Sequence, residues 1–286
     1  MTVLEAIQKS TEFLGKKNVE SPRLQTELLL AHLLKMPRMK LYLSFDRVLT
    51  SSETDALREL VKRRGLREPL QHITGSTSFC GCEIAVNRHV LVPRPETELL
   101  AETGWRFLET CSVQRATCLD LCTGSGCIAI AIAAKCPNAK IVATDISPAA
   151  LALATDNARR NQVAARIEFS PGDGFAALAT GARFDLIVSN PPYIPSAEIE
   201  TLEPEVRDFD PRLALDGGAD GLDFYRMLAI QAKNFLKPEG KIMVEFGDGQ
   251  DEEIKKTFEG EKWIVEAVQE DYSQRARILI ARHESF

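Results

Sequence analysis

The chain has 286 residues, 44% of them apolar and 27% charged, with a net charge of −6. That is enough for one large domain, or a medium domain plus a small one, with a full core. No apolar run approaches the roughly 18 residues of a membrane span and the N-terminus lacks a signal-peptide core, so a cytoplasmic protein without a membrane partner is expected. Seven cysteines make an odd count, and Cys80-Gly81-Cys82 has no second ligand pair at metal-like spacing. Reduced thiols and no metal site are therefore expected.

The charge is uneven along the chain. Through His72 there are 13 Lys+Arg against 9 Asp+Glu, net +4, whereas the remainder carries 22 against 32, net −10. A nonspecific nucleic-acid binder presents a basic face, and the larger part does the opposite. No direct nucleic-acid contact is expected. The basic first part suits an acidic or ribonucleoprotein partner, although a solvated helical face accounts for it equally well.

Thr2-Val3-Leu4-Glu5 is a capping-box pattern. Leu4, Ile7, Thr11 and Leu14 follow at helical spacing, with Gly15 as the stop. Ser21-Pro22 reads as N-cap and first residue of a second helix, with Leu24, Leu28, Ala31 and His32 on one side. After a short apolar piece, 40–45, a third helix is capped by Ser52, turns Leu57, Leu60 and Val61 inward and ends at Gly65. Residues 1–72 thus read as a small helical bundle without a phosphate loop, nucleophile or metal pattern: a recognition module. Residues 73–92, rich in Thr, Ser, Gly, Phe, Ile and Val, read as a hairpin linker, and Pro93-Arg94-Pro95-Glu96-Thr97-Glu98 starts a helix.

From 93 to 286 strands and helices alternate, the signature of an α/β doubly wound, Rossmann-like sheet. Seven strands are predicted, near 117–121, 140–144, 166–169, 184–189, 240–246, 263–269 and 276–282, with helices near 126–135, 148–161 and 221–236. The buried strand ending in Asp120-Leu121 runs into Cys122-Thr123-Gly124-Ser125-Gly126 and a helix. Glycines at such a turn admit a ligand to the backbone, and the helix start offers N–H groups to an anion. The next strand ends at Asp145, 25 residues after Asp120, where a carboxylate can accept both hydroxyls of a ribose.

Gly124, Gly126 and Ala129 satisfy the dinucleotide fingerprint, so an NAD site competes. Asp120 would oppose a pyrophosphate, whereas the sulfonium and ammonium of S-adenosylmethionine are favoured by a nearby carboxylate. After the third strand, Gly172-Asp173-Gly174-Phe175 offers an acceptor for an adenine amino group and a ring beside it; Asp173 as a plain turn residue is the bland reading.

The strand 184–189 ends in Asn190-Pro191-Pro192-Tyr193. Two prolines have no N–H to donate and fix φ, so the ladder stops there, and Asn190 is biased to extended backbone. Strand carboxyl ends are where open α/β sheets bind ligands. The Asn190 side-chain oxygen and the Pro191 carbonyl can accept both hydrogens of a planar NH2 group, and Tyr193 can stack on it. An amide, adenine or cytosine acceptor follows, and with it a methyl donor in place of NAD. Asn190, Pro191 and Tyr193 are the candidate catalytic residues.

Glu68-Pro69-Leu70-Gln71-His72-Ile73-Thr74-Gly75, Pro93 to Glu98, the Asp120-to-Gly126 loop, Asp145 and Ser189 to Tyr193 occur in the order of one family. Over essentially its whole length the chain closely resembles the bacterial peptide-chain release factor glutamine methyltransferases (PrmC, formerly HemK). The resemblance implies methylation of the glutamine amide in the Gly-Gly-Gln loop of class 1 release factors, which act in translation termination, with S-adenosylmethionine converted to S-adenosylhomocysteine. It maps a cofactor loop onto Cys122, Thr123, Gly124, Ser125 and Gly126 beside Asp120. The ribose acid maps onto Asp145, the adenine side onto Asp173 and Gly174, and the substrate-amide motif onto Asn190, Pro191, Pro192 and Tyr193, with Asn190 also near the cofactor. Cys122 departs from the family's usual glycine, which matters if that position needs positive φ.

Arg94 and Glu96 can line the cofactor's methionine end or cap a helix, and Glu245 can face the site or form a structural pair. A monomer is expected. Competing readings are a ribosomal-protein glutamine methyltransferase, an adenine-directed DNA or RNA methyltransferase, and a non-catalytic binding module.

Overall fold

The computed structural model describes residues 1–111 and 115–283. In chain order the first elements are α1 (Val3–Lys16), α2 (Pro22–Leu33), α3 (Arg38–Leu41), α4 (Ser51–Gly65), α5 (Leu70–Thr74), β1 (Ser76–Phe79) and β2 (Cys82–Ala85). Then come α6 (Pro95–Thr110), β3 (Thr117–Leu121), α7 (Cys127–Lys135), β4 (Lys140–Asp145), α8 (Pro148–Arg160), β5 (Ile167–Pro171) and β6 (Phe184–Ser189). The last are α9 (Pro204–Arg207), α10 (Asp223–Gln231), β7 (Leu236–Glu245), α11 (Asp251–Gly260), β8 (Trp263–Glu270) and β9 (Ala276–His283). The chain forms two compact units, Met1–Ser76 with Glu203–Phe209, and Thr77–Leu202 with Asp210–Phe286.

In the first unit, α1 opens with the expected reciprocal cap: the Glu5 N–H donates to the Thr2 hydroxyl at 3.2 Å, and the Thr2 N–H to the Glu5 carboxylate at 2.9 Å. Several details differ from the sequence reading. Helix α1 runs past Gly15 to Lys16, Ser21 sits in a left-handed conformation without a side-chain cap, and Thr50, not Ser52, caps α4 through Glu53. Helix α2 is rotated from the expected face. It buries Ala31 as expected, but also Thr26, Leu29 and Leu30, and leaves Leu24 43% exposed, with His32 also exposed. The rotation follows from Glu27, which can point inward because Arg23, Arg38 and the Tyr42 hydroxyl all donate to it, at 2.9 to 3.1 Å.

Glu203–Phe209 belongs to this unit although it lies deep in the second half of the chain. Arg64, 3% exposed, donates to Glu205 at 2.7 Å and to Gln25 at 2.8 Å. Arg67 donates to Glu205 at 2.6 Å and to Glu203 at 2.7 Å. The Glu205 carboxyl is pushed up by burial, but the Arg67 and Arg64 guanidiniums outweigh this and hold it below the usual carboxylate range.

The second unit is a seven-stranded sheet in the order β5-β4-β3-β6-β7-β9-β8, with β9 antiparallel to both neighbours. The hairpin of β1 and β2 is pinned to α8. Asn157 accepts the Ala85 N–H at 2.9 Å and returns a bond to the Ala85 carbonyl at 3.0 Å. The expected sheet is present, and helix α11 is an addition to the sequence reading. Strand order reverses direction between β3 and β6, the switch point of a doubly wound sheet. There Leu121 is in register with Ser189, and the Ser189 hydroxyl donates to the Leu121 carbonyl at 2.8 Å. The glycine turn after β3 and the proline corner after β6 therefore emerge side by side.

Candidate active site

The turn after β3 needs left-handed backbone at three positions: Cys122 (φ 59°), Gly124 (φ 54°) and Gly126 (φ 80°). Cys122, where a glycine was the expected residue, adopts the strained region itself. A Cβ on Gly126 would lie 3.0 Å from the Ala154 Cβ, so this glycine lets α7 approach α8, whereas a Cβ on Gly124 would meet nothing within 4 Å. Gly124 thus leaves open space over the loop backbone.

Asp120 lies beneath this turn. Its fully buried carboxylate accepts from the Thr123 hydroxyl at 2.6 Å and the Ala129 N–H at 3.1 Å, tying the loop to the first turn of α7. The other oxygen, Oδ1, has no hydrogen-bond partner among the described residues. Burial pushes the Asp120 carboxyl up to about 7; the Thr123 and Ala129 hydrogen bonds work against this, and the Asp145 charge adds to it.

Asp145 ends β4 and accepts two backbone N–H groups, from Gly124 at 2.9 Å and Ser147 at 2.8 Å. Burial raises its carboxyl despite those bonds.

A cavity of 390 Å³ opens over this turn, within the range of small-molecule sites. Of the residues singled out in the sequence, Cys122, Thr123, Gly124, Ser125, Asp145, Asp173, Gly174, Asn190 and Pro192 line it. Asp120, Gly126, Pro191 and Tyr193 do not: Asp120 and Gly126 shape the loop from below. Phe175, expected beside a ligand ring, is instead 4% exposed and stacked on Phe235 with ring centroids 4.7 Å apart. The apolar walls come from Val90, Leu91, Ile146 and Phe224, none of which carries a sequence motif.

The corner after β6 is held from several sides. Ile194 N–H donates to the Leu215 carbonyl, and Gly217 N–H to the Ile194 carbonyl, both at 2.9 Å. The Gln250 side chain donates to the Tyr193 carbonyl at 2.9 Å. A Cβ on Gly217 would sit 2.8 Å from the Tyr193 Cα, so only glycine fits there. The Asn190 carboxamide donates from Nδ2 to the Thr97 hydroxyl at 3.1 Å. Thr97, in the first turn of α6, is 2% exposed. Burial pushes the Tyr193 phenol up to about 12, with the Glu245 charge adding to the shift, so it remains a neutral donor.

The charge around the cavity is mainly acidic. Arg94 lines it, but its guanidinium donates to Asp210 at 2.7 Å, so its charge is matched. With Asp145 and Asp173 in the wall and the unpartnered Asp120 oxygen beneath the loop, these residues suit a ligand with a cationic centre and offer little to a pyrophosphate.

Residues 5–75 match the family model described as PrmC N-terminal domain, and residues 99–203 that of the Methyltransferase small domain. In fold the chain is similar to a methyltransferase from Pyrococcus furiosus, with a TM-score of 0.51 at 20% identity, over 72% of this chain and 90% of that one. Sheet order, glycine turn and proline corner together define a Rossmann-like methyltransferase. Release factor glutamine methyltransferase of Geobacter sulfurreducens is 46% identical over 90% of this chain and 88% of its own length. That of Rhodospirillum rubrum is 45% identical over 93% and 81%. The chain belongs to the release factor glutamine methyltransferase family.

Proposed function

We propose that this enzyme transfers a methyl group from S-adenosylmethionine to the side-chain amide nitrogen of the glutamine in the Gly-Gly-Gln loop of class 1 release factors. The observation that carries the reading is the side-by-side emergence of the glycine turn and the Asn190 corner at the switch point, with both lining one cavity. The names borne by the relatives support the choice of substrate.

When bound, S-adenosylmethionine supplies a methyl group on a sulfonium and leaves as S-adenosylhomocysteine. In this reading Gly124 and Ser125 accommodate its methionine part, Asp145 accepts from the ribose, and Asp173 and Gly174 border the adenine beside Ile146. The acidic lining suits its cationic centre.

The acceptor amide is a poor nucleophile because its lone pair is delocalised. Asn190 Oδ1 and the Pro191 carbonyl accept its two hydrogens, hold the nitrogen in line with the methyl carbon and favour the positive charge that grows on it. Positioning of this kind supplies up to roughly 7–11 kcal/mol. With S-adenosylmethionine bound, the C–N bond would form as the S–C bond broke, the sulfur keeping that electron pair, and one N–H proton would then leave the acidified nitrogen to solvent. Tyr193 stands beside the corner and helps to exclude water.

The basic helical unit serves as the docking part for the protein substrate, and the enzyme acts as a monomer without direct nucleic-acid contact. Mass spectrometry of a purified class 1 release factor incubated with the enzyme and S-adenosylmethionine tests this. One added methyl on the loop glutamine is expected. Methylation of a DNA duplex or a ribosomal protein, with the release factor unchanged, overturns the substrate assignment.

A further inference from the structure

Asn190 works as an acceptor only if its carboxamide is the right way round, with oxygen toward the cavity and nitrogen away. Nothing in an isolated asparagine sets that choice, because the two ends of the amide are nearly the same size.

Strands β6 and β7 are parallel, with Ser189 opposite Val244, so Asn190 and Glu245 follow one another across the carboxyl edge of the sheet. Glu245 is 3% exposed and does not line the cavity. Its Oε2 is buried without a hydrogen-bond partner among the described residues. The Thr97 hydroxyl and the Asn190 amide both act on its carboxyl and favour the ionised form. Thr97 Oγ already accepts from Asn190 Nδ2 at 3.1 Å, which leaves its single hydrogen to give away.

We infer that Glu245 is a positioning residue that, through Thr97, orients the Asn190 carboxamide so that Oδ1 faces the methyl acceptor. A carboxylate only accepts. With Glu245 ionised, the Thr97 O–H points to it and Asn190 Nδ2 points to Thr97, which leaves Oδ1 for the acceptor. A protonated Glu245 has a hydrogen of its own to donate. The relay then runs in reverse, Glu245 to Thr97 to Asn190 Oδ1, and the corner presents N–H groups to the substrate's N–H groups. The inference rests on the proposed amide acceptor and adds what sets its direction.

The relay titrates in a useful range. Burial pushes the Glu245 carboxyl up to about 7; Thr97, Arg277 and Asn190 act against the rise, and Glu96 adds to it. The other ionisable groups that interact with Glu245 are Tyr193, Tyr225 and Cys127, all pushed upward by burial and therefore neutral in this range. Asp120 also titrates near 7, but it sits under the cofactor loop, so its effect falls on cofactor affinity.

The test is the pH profile of kcat at saturating S-adenosylmethionine and release factor, alongside cofactor Kd by calorimetry. For the wild type, kcat should fall about tenfold per pH unit on the acid side of about 7. In Glu245→Gln the acid limb should vanish, leaving a lowered kcat that varies less than about twofold from pH 6 to 8, with cofactor Kd unchanged. Thr97→Ser should retain the limb and Thr97→Val should lose it, which covers the case of a Glu245 variant that does not fold. An unchanged limb in folded Glu245→Gln or Thr97→Val overturns the inference, as does a lower melting temperature with the profile intact. A wild type that leaves the release factor unmethylated instead brings down the substrate reading.

Discussion

Asp145 holds Gly124: one carboxylate oxygen accepts the Gly124 N–H at 2.9 Å while the other accepts Ser147 at 2.8 Å. The acid at the end of the second parallel strand thus braces the loop after the first and borders the cavity they share. Asp145→Ala is expected to weaken S-adenosylmethionine binding by more than the proposed ribose contact alone, because the loop is released as well. Hydrogen bonds to a charged group are worth about 1.5–3 kcal/mol each, so calorimetry should show a loss of at least about tenfold in Kd. Asp145→Asn, which keeps the shape, should lose less.

Removing the proposed acceptor oxygen of Asn190 should act on chemistry more than on binding. Asn190→Ala is expected to lower kcat by about 10²–10³, the cost of losing one preorganised polar contact to developing charge. Cofactor Kd should change only a few-fold. Single-turnover methylation beside calorimetry separates the two, and near-full turnover would remove Asn190 from the mechanism.

Cys122 carries a backbone cost. Left-handed backbone costs a residue with a Cβ roughly 1–2 kcal/mol, while a glycine loses about 0.5–1 kcal/mol in chain entropy. Cys122→Gly should therefore stabilise the protein by about 1 kcal/mol or less and leave cofactor affinity intact. Thermal unfolding with and without S-adenosylmethionine reads both.

The raised carboxyls fix the sign of the pH response. Asp120 and Glu245 are pushed up to about 7 and Asp210 to about 6, all chiefly by burial. A raised carboxyl stabilises the fold fully below the unfolded carboxylate range, and that contribution is lost as pH rises through the folded value. The melting temperature of the ligand-free protein should therefore fall from pH 5 to 7, less steeply in Asp120→Asn, and flatten above that. A cationic ligand favours ionised Asp120, so binding near pH 7 should release protons and tighten as pH rises. Calorimetry in buffers of different ionisation enthalpy measures this, and Asp120→Asn should abolish most of the release.

Arg64 is buried with its charge matched by Glu205 at 2.7 Å. Glu205→Ala leaves that guanidinium without its carboxylate, a change that costs about 3–5 kcal/mol for a fully buried pair and less here, since Gln25 and the Glu68 carbonyl still accept from it. Denaturant unfolding should show the loss, and limited proteolysis should cut more readily within 203–209.

The sheet was legible because each central strand is a short apolar run closed by a breaker: Phe184–Ser189 stops at two prolines, Thr117–Leu121 at a glycine turn. The face of α2 was not, because a buried glutamate breaks the apolar periodicity and becomes acceptable only once Arg23, Arg38 and Tyr42 surround it. Thr97 was visible as part of a helix start, but its bond to Asn190 spans 93 positions and leaves no local pattern. Gly217 is likewise an ordinary loop glycine until the Tyr193 backbone lies against it. The apolar walls at Ile146 and Phe224 are single residues on loop and helix, with no periodicity to announce them.

The Glu203–Phe209 excursion changes what a truncation means. The polypeptide passes from one unit to the other three times, after residues 76, 202 and 209, so no single cut yields two self-contained fragments. Removing the first 72 residues strips away the bed for a ribbon that begins ten residues beyond Tyr193 and ends beside Asp210, the partner of Arg94. Any loss of methylation in such a fragment would reflect the disturbed 203–209 segment as well as the loss of the proposed docking part. Surface substitutions in the intact chain are the cleaner way to separate them.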